Sequence, residues 1–323
     1  LNILVTGGAG FIGSHIVEYN LSQGHHVHVI DNLSSGTREN LSFCRDNPNF
    51  TFFEDDIITW SGLHGAVQWA DVVYHMAAIV GVRRVLANPI GMIENNIGSC
   101  MHLFRTIAET KAKPRVMLAS SSMVYGDTNK SNLNEKDLLS IKSITQGHWA
   151  YAVSKLANET IGFSYYRSKK IPITIMRIFN TVGPRQSGRY GMVMPNFIEQ
   201  ACTNKNITVF GDGKQTRSFC DVRDMVKIIY DLANNDKSIG EIVNVGNSEL
   251  ITIFELAELI KDCAKSESSI EYVSYQKAYG EDFIEIMSRA PDLNKMHKLS
   301  HVHYEWPLQA TIHDLITQFK QTH

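Results

Sequence analysis

The 323-residue sequence has no long apolar run, no block of like charge and no ordered set of cysteines. No apolar stretch reaches the ~20 residues that a membrane-crossing helix requires. Leu1-Asn2-Ile3 leads straight into a β-like run with no cationic stretch of the secretory kind before it, so a cytoplasmic location is expected. The five cysteines, Cys44, Cys100, Cys202, Cys220 and Cys263, are scattered and odd in number, which argues against a disulfide framework and a zinc site. Lysine and arginine total 31 against 33 aspartate and glutamate, a formal net charge of −2, and no basic cluster offers a footprint for nucleic acid or an anionic membrane. His25, His26 and His28 crowd a strand start without carboxylate or thiol companions, so no metal is expected. Internal repeats and low-complexity tracts are also missing. What remains is an ordinary globular composition, 43% hydrophobic and 20% charged, with room for a large core and one or two domains.

Against that background one turn stands out. Thr6-Gly7-Gly8-Ala9-Gly10-Phe11-Ile12-Gly13 follows the apolar run Ile3-Leu4-Val5 and precedes a helical pattern over 14–22 that Gly24 closes. Gly7, Gly8 and Gly10 permit backbone dihedrals closed to other residues and let main-chain N–H groups approach phosphate oxygens. Gly13 lets the helix pack close to the strand, with the positive end of its dipole toward the anion. Strand, glycine turn and helix predict a pyrophosphate seat formed by Gly7, Gly10, Phe11, Ile12 and Gly13. A second buried strand, Val27-His28-Val29-Ile30, ends at Asp31-Asn32, close to the ~20-residue spacing at which a carboxylate bonds both adenosine ribose hydroxyls. Asp31 would repel a 2′-phosphate, so the expected cofactor is NAD rather than NADP. A third strand over 50–53 ends in Glu54-Asp55-Asp56-Ile57, where a carboxylate either reaches the adenine amino group or is a solvated loop acid. The fourth strand closes on the small side chains of Ala77 and Ala78, where a cofactor would pass.

The alternation continues with a helix over 89–110 that carries Asn95 and a fifth strand over 115–119. A hydroxyl cluster, Ser120-Ser121-Ser122, follows that strand. Trp149-Ala150-Tyr151-Ala152-Val153-Ser154-Lys155 heads a helix reaching about 167, and a sixth strand spans 173–178. Alternating strands and helices predict an α/β fold, a Rossmann-type doubly wound parallel sheet with right-handed crossovers. From Phe179 onward the elements shorten and alternate less regularly, which predicts a smaller C-terminal α/β substrate domain. The expected division is 1–178 plus about 217–246 for the NAD-binding domain and 179–216 plus about 247–323 for the other. In that second half 242–245 reads as a strand rejoining the first sheet. A helix over 252–264 opens with Thr252 and Glu255 at capping-box spacing.

Residues four apart on a helix share a face, so Tyr151 and Lys155 can address one ligand. A nearby ammonium, and a cationic nicotinamide ring, would stabilise phenolate and lower the tyrosine pKa from about 10, making Tyr151 a general base. Ser121, at the carboxyl edge of the sheet where ligands of open α/β folds bind, offers a hydroxyl to hold the substrate oxygen.

The set Thr6-Gly7-x-x-Gly10-x-x-Gly13, Asp31, Ser121 and Tyr151-x-x-x-Lys155 resembles the extended short-chain dehydrogenase/reductase family of NAD-dependent nucleotide-sugar epimerases and dehydratases. The resemblance runs through His75-Met76-Ala77-Ala78, Asn95-Asn96-Ile97-Gly98-Ser99, Val124-Tyr125-Gly126, Arg177-Ile178-Phe179-Asn180, Gly183-Pro184-Arg185, Gly211-Asp212-Gly213 and Asn244-Val245-Gly246. It implies cofactor contacts at Gly7, Gly10, Phe11, Ile12, Gly13, Asp31, Asn32, Asp56, Ile57, Ala77, Ala78, Asn95, Tyr151 and Lys155. It implies catalysis by Ser121, Tyr151 and Lys155. For a nucleoside-diphosphate sugar it implies contacts at Ser121 and Ser122, at Asn180 and Arg217 near the diphosphate, and at Arg289 in a closing loop, where a solvated arginine is the competing reading.

Dehydratases of this family carry Asp-Glu, and decarboxylases a Glu, beside the residue corresponding to Ser121; here Ser122 and Met123 stand there, and a thioether is neither acid nor base. A UDP-sugar 4-epimerase is therefore expected. A UDP-glucuronate decarboxylase or NDP-sugar 4,6-dehydratase is the alternative within the family, and Arg289-Ala290-Pro291-Asp292 resembles the decarboxylase branch. A non-catalytic NAD-binding regulatory protein is the alternative from another class. The resemblance also implies a homodimer through the Asn95 and Tyr151 helices. Leu103, Phe104, Ile107, Leu156, Ile161 and Phe163 suit such an interface and suit core packing equally.

Overall fold

The computed structural model describes residues 1–128, 130, 132–141, 149–279 and 286–322, so part of the polar segment 127–147 falls outside it. Its strands are β1 (Asn2–Thr6), β2 (His26–Ile30), β3 (Phe50–Phe53), β4 (Val72–His75), β5 (Arg115–Ser121), β6 (Asn132–Leu133), β7 (Ile173–Ile178), β8 (Thr216–Ser218), β9 (Ile242–Val245), β10 (Leu250–Thr252) and β11 (Ser288–Pro291), with two short two-stranded pairs besides. Seven of these form one parallel sheet in the order β9-β7-β5-β4-β1-β2-β3. The chain moves outward from β1 in one direction through β2 and β3, then in the other through β4, β5 and β7. Adjacent carboxyl ends of β1 and β4 therefore diverge into a crevice, the point at which open α/β sheets take ligands.

The period-two geometry of a strand decides which layer each side chain joins. Ile3 and Val5 pack with Ile16 and Val17 of α1 (Phe11–Ser22) on one face of the sheet; Leu4 packs on the other with Leu103, Phe104 and Ile107 of α2 (Pro89–Glu109). A third helix, α3 (Trp149–Lys169), lies against α2, and α4 (Val222–Ala233) lies against α1. With both faces covered, the strands can be apolar throughout, as Ile3, Leu4 and Val5 are. Leu103, Phe104 and Ile107 are completely buried, so core packing accounts for them. Ile161 and Phe163 are partly buried against the same cluster, and Leu156 against a smaller one around Val124 and Phe179.

The sequence pattern starts α1 at Ser14, whereas the helix begins at Phe11 with Gly10 as N-cap. Gly13, which reads as part of a turn, sits inside the first helical turn because a backbone carbonyl needs the space its side chain would fill.

The second sheet is mixed, in the order β10-β8-β11-β6, with β8 and β10 antiparallel. Beside it Phe197, Ile198, Leu256, Ile260, Ile312 and Ile316 form a separate apolar cluster from three helices. The expected capping box is present: Thr252 Oγ1 accepts from Glu255 N at 3.0 Å, and Glu255 Oε2 accepts from Thr252 N at 2.9 Å.

Two buried histidines tie this architecture to pH. Burial, reinforced by Lys155, drives His75 down to about 3, and burial with nearby Arg185 drives His15 to about 4. The unfolded chain binds these protons near the ordinary value of 6.5, so between 6.5 and the depressed folded values the unfolded state holds more protons. The histidine contribution to stability is thus full above pH 6.5 and is lost as pH falls toward 4. Melting temperature should drop across that interval, and less steeply in His15→Gln/His75→Asn; an unchanged slope in the double variant would reject the assignment.

Candidate functional site

The crevice between β1 and β4 is shaped first by what its backbone excludes. Gly7 has φ +72°, and a Cβ there would lie 2.7 Å from Ala77 N and 2.8 Å from its Cα. At Gly13 an added Cβ would come within 2.1 Å of the Gly7 carbonyl oxygen. The turn can fold back on the helix at this distance because both side chains are missing. The loop after β2 braces the same turn, with Thr37 N and Asn40 Nδ2 donating to Ala9 O at 3.1 and 2.8 Å. First-turn N–H groups of a helix lack intrahelical acceptors; those of Phe11, Ile12 and Gly13 belong to residues that line the crevice.

Asp31 closes β2 nine-tenths buried, its two carboxylate oxygens accepting from Ala9 N at 2.9 Å and Leu33 N at 2.8 Å. Burial raises its pKa while these two hydrogen bonds act in the opposite sense. Each oxygen has two lone pairs, which leaves acceptor capacity for ligand hydroxyls. Asn32 Nδ2 donates to Asp56 Oδ2 at 2.8 Å, drawing the ends of β2 and β3 together. The cleft encloses about 1100 Å³ of space, its open mouth included, and runs from Gly7 through Asp31 and Ala77 to Lys155. All fourteen residues implied as cofactor contacts line it: Gly7, Gly10, Phe11, Ile12, Gly13, Asp31, Asn32, Asp56, Ile57, Ala77, Ala78, Asn95, Tyr151 and Lys155. Ser34, Ser35 and Val80 line it as well and were not assigned a role from sequence. A cradle with no side chains where it must be tight, amides at a helix start and an acid at the far end fit a dinucleotide.

At the other end of the cleft stand Ser121, Tyr151 and Lys155. Ser121 ends β5 and caps the short turn Ser122–Tyr125, its Oγ accepting from Met123 N at 3.2 Å. It lines the cleft beside Tyr151, whose pKa its hydroxyl pulls down. Lys155 is 4% exposed and donates from Nζ to Ala119 O at 2.9 Å, with the ammonium 6.0 Å from the Tyr151 ring centroid. The expected lowering of the tyrosine pKa is not what the protein provides by itself. Burial pushes Tyr151 up to about 12, with the Ser121 hydrogen bond pulling it down less strongly, and burial pushes Lys155 down to about 8. One of the Lys155 N–H donors goes to the Ala119 carbonyl rather than to the phenol oxygen, and desolvation of the phenolate prevails.

The implied substrate contacts form a second group. Ser121 lines the cleft, but Ser122 is 5% exposed beneath the turn and does not line it. Asn180 Nδ2 donates to Ser218 O at 3.0 Å at the end of β8. Arg217 on β8 and Arg289 on β11 are register partners in parallel strands, so they project from one face side by side. Arg217 Nη1 donates to Thr216 O at 2.7 Å. Arg289 is buried rather than solvated, its Nη1 lying 2.8 Å from Met123 Sδ and its Nη2 donating to Gly126 O at 3.2 Å. The Ser122–Tyr125 turn joins this group to Ser121. Among the described residues no group of three His, Cys, Asp or Glu is arranged to hold a metal ion, and no helix is long and apolar enough to cross a membrane.

Fold and cleft together define a dinucleotide-dependent α/β enzyme of the extended short-chain dehydrogenase/reductase type. The model of the NAD dependent epimerase/dehydratase family matches residues 3–246, and the chain belongs to that family, whose cofactor is NAD. It is 34% identical over 322 residues, 98% of this chain and 97% of the relative, to the UDP-N-acetyl-alpha-D-glucosaminuronate decarboxylase of Bacillus cytotoxicus. Among solved structures it is similar to the UDP-N-acetylglucosamine 4-epimerase of Methanobrevibacter ruminantium M1 in complex with UDP-N-acetylmuramic acid, at 29% identity and TM-score 0.89 over 100% of this chain and 99% of that one. A UDP-glucuronic acid 4-epimerase variant from Bacillus cereus, in complex with NAD and a fluorinated UDP-glucuronic acid, matches at 28% identity and TM-score 0.89 over 100% of both chains. The family thus spans epimerases and decarboxylases of nucleotide sugars.

The cradle makes a direct prediction. Gly13→Ala forces the Gly7 carbonyl out of position, and NAD affinity measured by calorimetry should fall at least tenfold, about 1.4 kcal/mol. An unchanged affinity would show that the close approach does not shape the site.

Proposed function

We propose that the chain is a UDP-sugar 4-epimerase in which Ser121, Tyr151 and Lys155 carry the proton chemistry. NAD, when bound in the cleft, supplies the hydride acceptor and donor at C4 and, in its oxidised form, a positive charge beside the phenol. Tyr151 takes the proton of the sugar O4 hydroxyl, which Ser121, beside it in the cleft, would help to hold. To act near neutral pH the phenol must come down from about 12, and a nearby positive charge acts in that direction. Lys155, held against Ala119 O, fixes the helix face from which Tyr151 works.

Inversion at C4 requires the sugar ring to present its other face while the nucleotide stays in place. Asn180, with Arg217 and Arg289 side by side on parallel strands, would hold the diphosphate, since a guanidinium bonds phosphate oxygens in pairs. On this reading the NAD-binding domain comprises 1–178 plus about 217–246, and 179–216 with about 247–323 binds the nucleotide sugar.

The observation that carries the choice of reaction is Met123. Its thioether lies against Arg289 in the position where, by resemblance, decarboxylases and dehydratases keep an acid. Without that acid the site retains a base at O4, which suffices for epimerisation. Decarboxylation is the second reading, favoured by the name of the Bacillus cytotoxicus relative. Incubation with a panel of UDP-hexoses, UDP-N-acetylhexosamines and UDP-uronic acids, without added reductant, separates the two by NMR. A change confined to C4 is expected; release of CO₂ from a uronic acid would establish decarboxylation instead. Tyr151→Phe should lose at least 100-fold in kcat with NAD still bound, and full activity in that variant would remove Tyr151 from the mechanism.

A homodimer is proposed as well. The implied helices expose Ile90 and Ile93 on α2 and Val153 on α3, with Leu86 just before them. Light scattering should give twice the chain mass, and Ile90→Glu/Ile93→Glu should give the monomer; a monomeric native protein would reject the dimer.

A further inference from the structure

The face of α3 that holds Tyr151 and Lys155 extends one turn further, to Glu159. Spacing of four residues places all three on one stripe. Each meets the carboxyl end of β5: Tyr151 lines the cleft with Ser121, Lys155 bonds the Ala119 carbonyl, and Glu159 takes the Ser120 hydroxyl, which donates to Glu159 Oε1 at 2.6 Å. We propose that Glu159, held by Arg177, is a positioning residue, the third rung of a ladder that sets Ser121 against Tyr151. The proposal rests on the catalytic reading of Ser121 and Tyr151 given above.

Glu159 and Arg177 are buried, 4% and 2% exposed, so the carboxylate could not persist there unpaired. Arg177 meets it with its fork, Nε to Oε1 at 2.9 Å and Nη2 to Oε2 at 2.8 Å, a bidentate geometry that fixes orientation as well as neutralising charge. Its remaining arm donates from Nη1 to Glu135 O at 3.2 Å, and the guanidinium lies 4.8 Å over the Tyr125 ring. Tyr125 belongs to the turn that Ser121 caps, and its hydroxyl donates to Asn244 Oδ1 at 2.6 Å. Ser121 is thereby held from both sides, through Ser120 by Glu159 and through the turn by Arg177 and Tyr125.

A buried ion pair adds little net stability compared with apolar side chains of similar volume. The distinctive contribution of Glu159 and Arg177 is therefore direction: hydrogen bonds pin β5 to α3 at a fixed offset, which packing alone would leave looser. The other titratable groups facing this stripe are His75 from β4 and Cys100 from α2, both kept neutral by burial at neutral pH. Errors of about 1 Å in such an arrangement can cost 100-fold in rate.

The test compares Glu159→Met/Arg177→Met, which removes both charges and preserves volume, with Glu159→Gln, which keeps an acceptor for Ser120. Each NAD-loaded protein is measured for kcat and KM, and for the tyrosinate absorbance step that disappears in Tyr151→Phe. The double variant should lose about 10- to 100-fold in kcat with KM within about threefold, and its tyrosinate step should rise by about one unit as Ser121 loses register with the phenol. Glu159→Gln should recover part of both. Wild-type kcat with an unshifted step, or a loss confined to KM, would overturn the proposal. Should the double variant not fold, wild-type kcat and an unmoved step in Glu159→Gln would overturn it equally. Full activity in Tyr151→Phe would instead defeat the functional reading, leaving the tyrosinate step to decide the ladder alone.

Discussion

The hydrogen bond from Lys155 Nζ to Ala119 O, 2.9 Å long and buried, is the contact on which the site depends. It joins the middle of a helix to the end of the central strand pair β4 and β5, and it consumes a donor that could otherwise have served the phenol. Tyr151 consequently faces Ser121 while its own acidity is suppressed by burial. On the proposed reading, the protein builds the geometry of a base and leaves its ionisation to be completed by charge brought into the cleft. Such a division keeps the phenol uncharged until the dinucleotide is in place, because desolvation disfavours the phenolate by itself.

Much of the cleft was legible in the sequence because its features are local. Gly7 and Gly13 are required by a positive φ and by a carbonyl that leaves no space for a methyl group, and both constraints act within seven residues. Asp31 follows from strand length and Tyr151 with Lys155 from helical period. A doubly wound parallel sheet follows from regular alternation and right-handed crossovers, and the structure adds its strand order. Features that depend on distant packing were not legible. Burial of Arg289 arises because β11 inserts between β8 and β6, strands separated by more than eighty residues in sequence. The rise in the Tyr151 pKa depends on the depth of protein around a phenol that local charge alone would acidify. Glu159 and Arg177, eighteen residues apart on α3 and β7, look like ordinary surface charges until the sheet brings them together. Leu103, Phe104 and Ile107 show the converse: helical periodicity identifies an apolar face without saying whether it meets the core or a second chain.

Fold and cofactor are therefore shared across a family whose reactions differ, and the reaction depends on few side chains. On the proposed reading, the Ser122–Tyr125 turn carries that difference. It is capped by Ser121, anchored by Tyr125 and touched by Arg289 through Met123. A carboxylate at position 123 would pair with Arg289 and add a proton-transfer group; a thioether fills the space and adds none. The proposed chemistry consequently reduces to removal and return at a single carbon.

That claim is tested most directly by following one hydrogen. A UDP-hexose carrying deuterium at C4 should yield the C4 epimer with the deuterium still on C4, in unlabelled water and with no net change in NAD oxidation state. Deuterium lost to solvent, found at another carbon or accompanied by CO₂ would contradict the account.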